Sequence, residues 1–354
     1  MYKFTRNYSM KKLFYYFTKY IIRIITNCYF RKIRIYGLEN IPKNGGVLFS
    51  PNHQGAFMDP LLVGCNIDRP VTSLTRSDIF GGPMQWFMDA LKMLPVYRIR
   101  NGYTNLKKNE AIFNRCKKLL SDNQSIMMFS EAGHHNEFFL KPLSKGSSRL
   151  AYEAQENSDN PIYIVPVGIN YGHHRNPLCD LHLVFGEAII INSFTEAYGE
   201  KPERINAIRE CLELHMKKCL WLPEKDEHYE GRKKLIHSAN TKMSFQEMKK
   251  GIEKKILPLK KRIEKQKWHK LIIGLFSIPN LPPLIILKKI LGLFKDVVFY
   301  SSIKMSAGFI LFVFWWTIIF LCVGILFSWN IGLFVTVVCV IFLYIRQFLS
   351  IKYL

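Results

Sequence analysis

The feature that most constrains this chain is a run of 21 residues without a charged side chain, Ala307–Phe327. About 20 apolar residues in a helix cross the hydrocarbon core of a bilayer, so this run predicts a transmembrane helix. A second run, Ile331–Ile345, has 15 residues and spans only together with its flanks. Because only three uncharged residues join the two runs, we expect a C-terminal transmembrane helical hairpin. Leu271–Leu287 is also apolar but is interrupted by three prolines, which predicts an interfacial segment or a packed hairpin.

Basic residues indicate the orientation of this hairpin. Lys304 precedes it, and Arg346 and Lys352 follow it. Positively charged flanks stay on the cytoplasmic side of a membrane, so both outer ends are expected there. Gly231–Lys270 holds 14 basic and three acidic residues, a local charge of +11 within the net charge of +23. An anionic leaflet near this stretch would explain the local excess, and a solvated helical face is the simpler alternative.

Composition limits the class of protein without identifying its partner. A hydrophobic fraction of 49% excludes a disordered basic tail. The positive charge fits nucleic acid, a phospholipid surface or a phosphorylated small molecule. Eight cysteines without a CxxC pair suggest neither a zinc knuckle nor a disulfide framework, so we expect a reducing, cytoplasm-facing body. The first thirty residues lack the continuous apolar core of a cleavable signal peptide.

Hydrophobic spacing divides the chain into five segments. Between Met10 and Phe30 an apolar stripe has helical spacing, which fits either a helix lying on a membrane or one packed on its own domain. This stripe comprises Leu13, Phe17, Ile21, Ile24 and Cys28. The segments are an amphipathic membrane-associated helix (1–31), an α/β domain (32–222), a basic helical linker (223–270), an interfacial apolar segment (271–303) and the transmembrane hairpin (304–354, with helices over about 307–327 and 328–346).

The segment 32–222 alternates short β-rich runs with helical runs, which predicts an α/β fold with a mixed sheet flanked by helices. Strands are expected over Lys32–Tyr36, Gly46–Pro51, Val71–Leu74, Ser125–Ser130, Ile162–Asn170 and Leu181–Phe185. Helices are expected over Pro60–Cys65, Met84–Leu94, Leu106–Leu120, Gly146–Gln155 and Pro202–Leu220. Continuous apolar strands indicate a sheet that is buried on both faces. Pro166 must then lie at an edge or an irregularity of that sheet.

A possible acid–base pair lies between the second strand and the helix after it. Asp59-Pro60 is a helix-start signal with Asp59 as N-cap, which puts His53 in the preceding loop. On one helix the two side chains would point about 120° apart, but in a loop they can meet. A carboxylate on one ring nitrogen would leave the other as a base toward a hydroxyl. The alternative is that Asp59 only caps the helix and His53 only bonds a loop carbonyl.

Two later loops carry groups suited to an anionic substrate. Arg98 and Arg100 follow the helix expected over Met84–Leu94 and suit a phosphate, although surface arginines are common. The strand ending near Ser130 leads into Glu131–Glu137, whose small residues let backbone N–H groups approach a ligand. The adjacent histidines of this segment also raise the possibility of a metal, but neighbouring side chains diverge and no HExxH spacing is present.

Four segments occur in an order that resembles the sequence blocks of the phospholipid/glycerol acyltransferase family, which includes bacterial 1-acylglycerol-3-phosphate and glycerol-3-phosphate acyltransferases. They are Asn52-His53 with Asp59, Leu94-Pro95-Val96-Tyr97-Arg98, Phe129-Ser130-Glu131-Ala132-Gly133 and Val165-Pro166-Val167. The resemblance covers about Tyr36–Phe194, and Gly37–Pro42 is similar to the lead-in of the family.

The resemblance implies a mechanism. His53 would take the proton of an acceptor hydroxyl as it attacks a thioester carbonyl, and Asp59 would hold His53 and stabilise its imidazolium. The acyl group would pass directly, without a Ser or Cys nucleophile. The substrate-binding residues would be Asn52, Arg98, Arg100, Glu131, Ala132, Gly133, His135 and Lys145.

The resemblance also implies partners and a location. The donor would be acyl-CoA or acyl-carrier protein, and the acceptor a glycerol phosphate. No metal, other cofactor or nucleic acid is expected. The protein would be integral to the cytoplasmic membrane, in contact with membrane phospholipids, with its catalytic domain facing the cytoplasm.

Two departures from the family pattern leave the acceptor open. Five residues separate His53 from Asp59 where four are usual, and the third block reads Glu131-Ala132-Gly133-His134 in place of Glu-Gly-Thr/Ser-Arg. Both resemble the branch that includes fungal glycerol-3-phosphate/dihydroxyacetone-phosphate acyltransferases, which carries a His where His135 stands. The acceptor is therefore glycerol 3-phosphate, its ketone analogue or a lysophosphatidate.

Two other functions stay open at this point. One is a membrane-tethered metal hydrolase that uses His134, His135, His173 and His174. The other is a non-catalytic membrane module that binds nucleic acid through Gly231–Lys270.

Overall fold

The computed structural model describes residues 2–80, 84–97, 104–131, 133–196, 199–259 and 267–353. Its strands belong to one mixed sheet, as the sequence predicts. They are β1 (Lys32–Tyr36), β2 (Gly46–Pro51), β3 (Val71–Arg76), β4 (Met93–Val96), β5 (Ser125–Met127), β6 (Ile162–Tyr171), β7 (Asp180–Phe185) and β8 (Ile189–Ile190).

The helices follow in chain order. In the N-terminal part and the α/β domain they are α1 (Tyr2–Tyr29), α2 (Met58–Asn66), α3 (Met84–Ala90), α4 (Thr104–Ser121), α5 (Gly146–Gln155), α6 (Asn192–Thr195) and α7 (Lys201–Lys218). Beyond the domain they are α8 (Tyr229–Lys233), α9 (Phe245–Glu253), α10 (Lys267–Ser277), α11 (Leu281–Gly292), α12 (Phe299–Leu326) and α13 (Trp329–Tyr353).

The strand order brings one set of loops together. The described strands run β1-β7-β6-β2-β5-β3-β4, with β8 also paired to β6. The strands β6, β2, β5, β3 and β4 are parallel, whereas β7 and β8 pair antiparallel with β6. The carboxyl ends of β2, β4, β5 and β6 therefore lie at one edge of the sheet, where α/β proteins bind their ligands.

Two apolar layers bury the sheet from both sides. Leu48 of β2 packs in a cluster with α4, α5 and α7, while its neighbours Val47 and Phe49 pack in a second cluster with α2 and the end of α1. Every residue of β2 is buried. Because alternate side chains enter different cores, such a strand is apolar throughout.

The strand β4 corrects one expectation. The sequence predicts a helix over Met84–Leu94, but α3 ends at Ala90 and Met93–Val96 pairs with β3 instead. Lys92 adopts a left-handed φ of 55°, which ends the helical path. Pairing with a strand 20 residues earlier in the chain, Ser73 with Met93, is a long-range effect that helical spacing does not reveal.

Pro166 lies at the kind of irregularity that the sequence requires. On one side of β6, β8 pairs with Tyr163 and Ile164, and β7 begins to pair at Val167. Pro166 sits where one partner strand gives way to the other, and its carbonyl accepts the N–H of Gly186 at 2.9 Å. The missing N–H of proline therefore costs the sheet little.

The N-terminal helix α1 has two different faces. Tyr15, Thr26 and Tyr29 are buried against the domain, and the Tyr15 hydroxyl accepts the N–H of Val71 at 3.0 Å. The predicted apolar stripe faces outward, with Leu13 73% exposed. One face thus attaches the helix to the domain while an apolar face stays uncovered.

The basic segment packs on the domain over its described part. Tyr229, Phe245, Met248 and Ile252 form an apolar cluster with Trp221 at the end of the domain. The segment predicted as a helical linker (223–270) therefore packs on the domain in its described part, up to residue 259. Many of its lysines are exposed.

In the part of the chain that the structure describes, three helical stretches are long and apolar enough to cross a membrane: Lys267–Gly292, Phe299–Leu326 and Trp329–Tyr353. The last two correspond to the predicted hairpin. The stretch Lys267–Gly292 covers residues 271–292 of the segment 271–303, for which the sequence predicts an interfacial position, so length and composition add a third candidate span.

Side-chain contacts show how the stretch Lys267–Gly292, which comprises α10 and α11, runs along the other two helices. The His269 ring stacks on Tyr353 at the end of α13 with centroids 3.9 Å apart. Deeper along the pair, the Asn280 side-chain amide donates to the carbonyl of Cys339 at 2.8 Å. The chain then returns along α12: Trp316 Nε1 donates to Oδ1 of Asn280 at 2.9 Å, and the rings of Phe294 and Phe299 are 6.3 Å apart where α12 begins. α10 and α11 therefore form a packed hairpin. The start of α10 lies beside the end of α13, and the end of α11 lies near the start of α12.

Candidate active site

His53 and Asp59 meet in the loop after β2. His53 Nδ1 lies 2.8 Å from Asp59 Oδ2. The Asp59 side chain is fully buried and that of His53 is 18% exposed. A buried carboxylate beside Nδ1 fixes the proton on that nitrogen, so Nε2 carries the free lone pair. Among the described residues, no hydrogen bond engages His53 Nε2.

Four donors hold the Asp59 carboxylate in place. Besides the His53 ring, the backbone N–H groups of Gln54 and Gly55 donate to Oδ2 at 2.9 and 2.8 Å. The hydroxyl of Tyr171, the last residue of β6, donates to Oδ1 at 2.5 Å. These hydrogen bonds fix the orientation of the carboxylate beside the His53 ring.

Asp59 is not the N-cap that the sequence predicts. The helix α2 starts at Met58, two residues earlier than predicted, with Phe57 at the N-cap position, and no side chain caps it. The Met58 N–H bonds the carbonyl of Gly55 and begins the helical turn before Asp59 is reached. The Asp59 carboxylate points back into the loop because His53, Gln54 and Gly55, which donate to it, come before it in the chain.

The loop between His53 and Asp59 is tightly turned. Ala56 has a φ of 51°, a left-handed conformation that costs an alanine roughly 1 kcal/mol. A side chain at Gly55 would lie 2.4 Å from the Tyr171 hydroxyl oxygen and 2.6 Å from Asp59 Oδ1. Glycine at position 55 is therefore required for Asp59 to approach the loop so closely.

Aromatic rings surround the His53 imidazole. It stacks on Phe129 with ring centroids 4.0 Å apart, and it meets His134 edge-on at 5.6 Å. Both neighbours follow β5, so the third sequence block forms one wall around the base. Stacking limits the rotation of the ring and keeps Nε2 directed away from Asp59.

Glu131 braces the backbone at His53. Its Oε1 accepts the N–H of His53 at 2.7 Å, and its Oε2 accepts the N–H of Lys141 at 3.0 Å and Nε2 of His135 at 2.9 Å. The Glu131 side chain is fully buried. These bonds join the first and third blocks, and the predicted contact of Glu131 with a substrate stays a prediction.

Asn52 is also engaged within the fold. Its amide donates to the carbonyl of Ile169 at 3.2 Å and accepts the N–H of Ile169 at 2.6 Å. The side chain is fully buried. Both bonds hold the end of β2 against β6, and substrate contact by Asn52 stays a prediction.

A cleft of about 1130 Å³ opens beside these loops. Gly133 and Lys145 line it, and His134 connects it to the His53 ring. Further lining residues come from β3, β4, α4, α5 and the start of α12; they include Arg76, Tyr97, Asn109, Lys117, Arg149, Asp296 and Phe299. The remaining predicted binding residues Arg98, Arg100 and Ala132 lie outside the described residues.

The histidines considered for a metal have other partners. His134 contacts Asp296 at 3.0 Å, and His135 contacts Glu131. His174 is buried against Phe138, and burial lowers its pKa to about 3, so it is neutral. Within the described part of the chain, no group of three or more His, Cys, Asp or Glu is arranged to hold a metal ion.

Tyr171 is a site residue that sequence reasoning missed. Burial raises the pKa of its phenol, and the Asp59 charge raises it further, so the hydroxyl stays a donor at neutral pH. The only signal in the sequence is its position at the end of a buried strand. That β6 lies next to β2 is a matter of strand order, which a single sequence does not reveal.

We expect Tyr171→Phe to lower kcat about tenfold, the effect of losing one hydrogen bond to a charged group. The phenylalanine keeps the ring in its buried position but leaves Asp59 Oδ1 without its donor. Steady-state kinetics at saturating substrate concentrations measure the change. A kcat within twofold of the wild type would contradict a role for this contact.

Comparisons with known proteins can be set beside this geometry. The acyltransferase family model matches residues 32–170. A search of curated proteins gave no match. Among solved structures, the chain is similar to the crystal structure of the 1-acyl-sn-glycerophosphate (LPA) acyltransferase PlsC from Thermotoga maritima, with 17% identity and a TM-score of 0.40 over 56% of this chain and 80% of that chain. The family match spans β1 to β6 and includes both His53 and Asp59. The match supports the assignment of the α/β domain, over residues 32–170, to the acyltransferase family.

Proposed function

We propose that the protein is a membrane-bound O-acyltransferase of glycerophospholipid synthesis. It transfers a fatty acyl group from acyl-CoA or acyl-carrier protein to a hydroxyl of glycerol 3-phosphate or 1-acylglycerol 3-phosphate. The observation that carries the proposal is the 2.8 Å contact between His53 Nδ1 and a fully buried Asp59. This contact leaves the other ring nitrogen free, and His134, which meets the His53 ring edge-on, lines a cleft large enough for a phosphorylated substrate.

The chemistry follows from the tautomer. Nε2 of His53 removes the proton of the acceptor hydroxyl while its oxygen attacks the thioester carbonyl. Asp59 stabilises the imidazolium that forms. The tetrahedral intermediate expels the thiolate of the donor, and the proton moves from Nε2 to that sulfur. The products are an oxygen ester and a free thiol, and no acyl-enzyme or metal is needed.

Charge in the cleft favours a phosphorylated acceptor. The basic side chains of Lys117 and Arg149 are both paired with Glu153. Lys145 is exposed in the same cleft, and no ion pair engages it among the residues that the structure describes. An unpaired ammonium group beside the third-block loop suits a phosphate dianion.

We expect Lys145→Ala to raise the KM for the phosphorylated acceptor about tenfold with little change in kcat, since one charged hydrogen bond is lost. The matched control is Lys118→Ala, which removes an exposed lysine of α4 outside the cleft lining. Steady-state kinetics at a fixed saturating donor concentration measure the difference. Equal KM values for the two variants would remove Lys145 from the acceptor site.

The helices support a membrane location with the domain on the cytoplasmic side. The start of α12 contacts the domain, since Lys304 Nζ donates to the carbonyl of Arg175 at 2.8 Å. Lys304, Arg346 and Lys352 lie at this end of the helices, which the positive-inside rule assigns to the cytoplasm. Leu13 and Phe17 on the exposed face of α1 suit an interfacial contact with lipid.

A substrate matrix tests the proposal and identifies the acceptor. The purified full chain in phospholipid vesicles is offered labelled glycerol 3-phosphate, dihydroxyacetone phosphate or lysophosphatidate, each with acyl-CoA or acyl-carrier protein. We expect one acceptor to dominate and activity to survive exhaustive chelation of metals. Hydrolysis that depends on a metal, without transfer to any acceptor, would favour a hydrolase instead.

A further inference from the structure

The start of the membrane helix α12 is bonded directly to the loop that carries His53 and Asp59. Ser302 is fully buried, and its hydroxyl donates to the carbonyl of Gly55 at 2.8 Å. The same oxygen accepts the N–H of Met58 at 3.2 Å. One side chain near the membrane therefore holds both flanks of the short turn inside the first block, although it lies more than 240 residues away in sequence.

The neighbouring residues of α12 bond a second loop of the domain. Ser301, which is also buried, donates to the carbonyl of His174, and Lys304 donates to the carbonyl of Arg175. Together with the bond from Ser302, three side chains of α12 thus donate to backbone carbonyls of the domain. The start of α12 therefore supplies hydrogen-bond donors to carbonyls in the loops of the domain, as a neighbouring element of the same core does.

The turn that Ser302 holds is the strained one. Ala56 adopts its left-handed φ of 51° between the two groups that Ser302 contacts. Strained backbone persists only where the surroundings over-determine it. Gly55 also donates its N–H to Asp59, so a shift of this turn moves the carboxylate that orients His53.

The chain before α12 contributes to the cleft itself. Asp296 contacts His134 at 3.0 Å, and the ring of Phe299 meets the His134 ring at 5.1 Å. Asp296 and Phe299 both line the cleft. The segment from Asp296 to Ser302 thus touches the first and third sequence blocks together.

We propose that Ser302 is a positioning residue for the His53–Asp59 pair, so that the membrane hairpin is a working part of the active site as well as an anchor. The proposal rests on the proposed acyl transfer. The structural role of Ser302 does not depend on the reaction: its hydroxyl fixes the turn at Ala56, and this turn fixes the position of Asp59.

The test compares Ser302→Ala with Ser306→Ala in the full chain in phospholipid vesicles. Ser306 lies one turn further along α12, and among the described residues its hydroxyl donates to the carbonyl of Ser302 in the same helix and contacts no loop of the domain by a hydrogen bond. We expect Ser302→Ala to lower kcat about tenfold, because small misplacements of a catalytic base have large costs, while the acceptor KM stays within about twofold of wild type. Ser306→Ala should match the wild type.

Hydrogen–deuterium exchange supplies a readout that does not depend on turnover. A peptide covering residues 53–58 should exchange faster in Ser302→Ala than in Ser306→Ala, because the Met58 N–H loses one acceptor. Unchanged kcat and unchanged exchange in Ser302→Ala would overturn the proposal, and so would equal losses in both variants. If the wild type transfers no acyl group while exchange still rises in Ser302→Ala, the proposed function fails and the positioning of the loop by Ser302 stands.

Discussion

Replacement of His53 by alanine should lower acyl transfer about 1000-fold, within the range that general-base catalysis supplies. The imidazole stacks on the Phe129 ring and contacts the Asp59 carboxylate, while Nε2 of the nearby His134 is engaged by Asp296. Alanine therefore removes the base without offering a substitute. The measurement is the initial rate of ester formation from labelled acyl-CoA with saturating acceptor.

A suitable control for this variant is His228→Ala. His228 is exposed at the start of α8, far along the chain from the catalytic loop. It should retain wild-type rates and the same thermal unfolding temperature. Retention of more than a tenth of the wild-type rate in His53→Ala would contradict a role for His53 as the base.

Replacement of Asp59 by asparagine should be at least as damaging, with a loss of about 10³ to 10⁴-fold in kcat. The carboxylate accepts four hydrogen bonds, from the His53 ring, the N–H groups of Gln54 and Gly55, and the Tyr171 hydroxyl. An amide cannot accept all four, because its nitrogen is a donor. It also lacks the charge that stabilises the imidazolium and favours the alternative tautomer of His53.

Loss of fold is the competing explanation for an inactive Asp59→Asn protein, since Asp59 is fully buried. Tyr171→Phe separates the two effects, because it removes one of the same bonds without removing the charge. We expect Asp59→Asn to remain folded by near-ultraviolet circular dichroism and to bind acceptor. An Asp59→Asn enzyme within tenfold of the wild type would show that the His53–Asp59 contact is only structural.

The sequence predicts the fold where local pattern and burial agree. The bounds of β1, β2 and α5 match their predictions residue for residue, because each begins or ends at a strong local signal such as Gly46 or Gly146. It is less informative for β4, whose four residues follow a short helix and become a strand through pairing with β3. Long-range pairing competes with local preference, and in short elements it prevails.

The candidate site shows the same division. His53 and Asp59 could be named from spacing, since six residues at a strand-to-helix turn bring them into one loop. Tyr171 and Ser302 could not, because their partners lie 112 and about 247 positions away in sequence. Neither residue belongs to a motif, and their roles depend on which strand lies beside β2 and on where α12 meets the domain.

The measurement that most directly tests the central claim is a single-turnover experiment with acyl-labelled acyl-CoA, the preferred acceptor and the full chain in vesicles containing a metal chelator. Direct transfer by His53 and Asp59 predicts that labelled ester and free CoA thiol form together in a one-to-one ratio. It also predicts that no label becomes bound to the protein, and that His53→Ala forms neither product. Labelled protein that precedes the ester, or loss of the reaction on chelation, would contradict direct transfer by this pair.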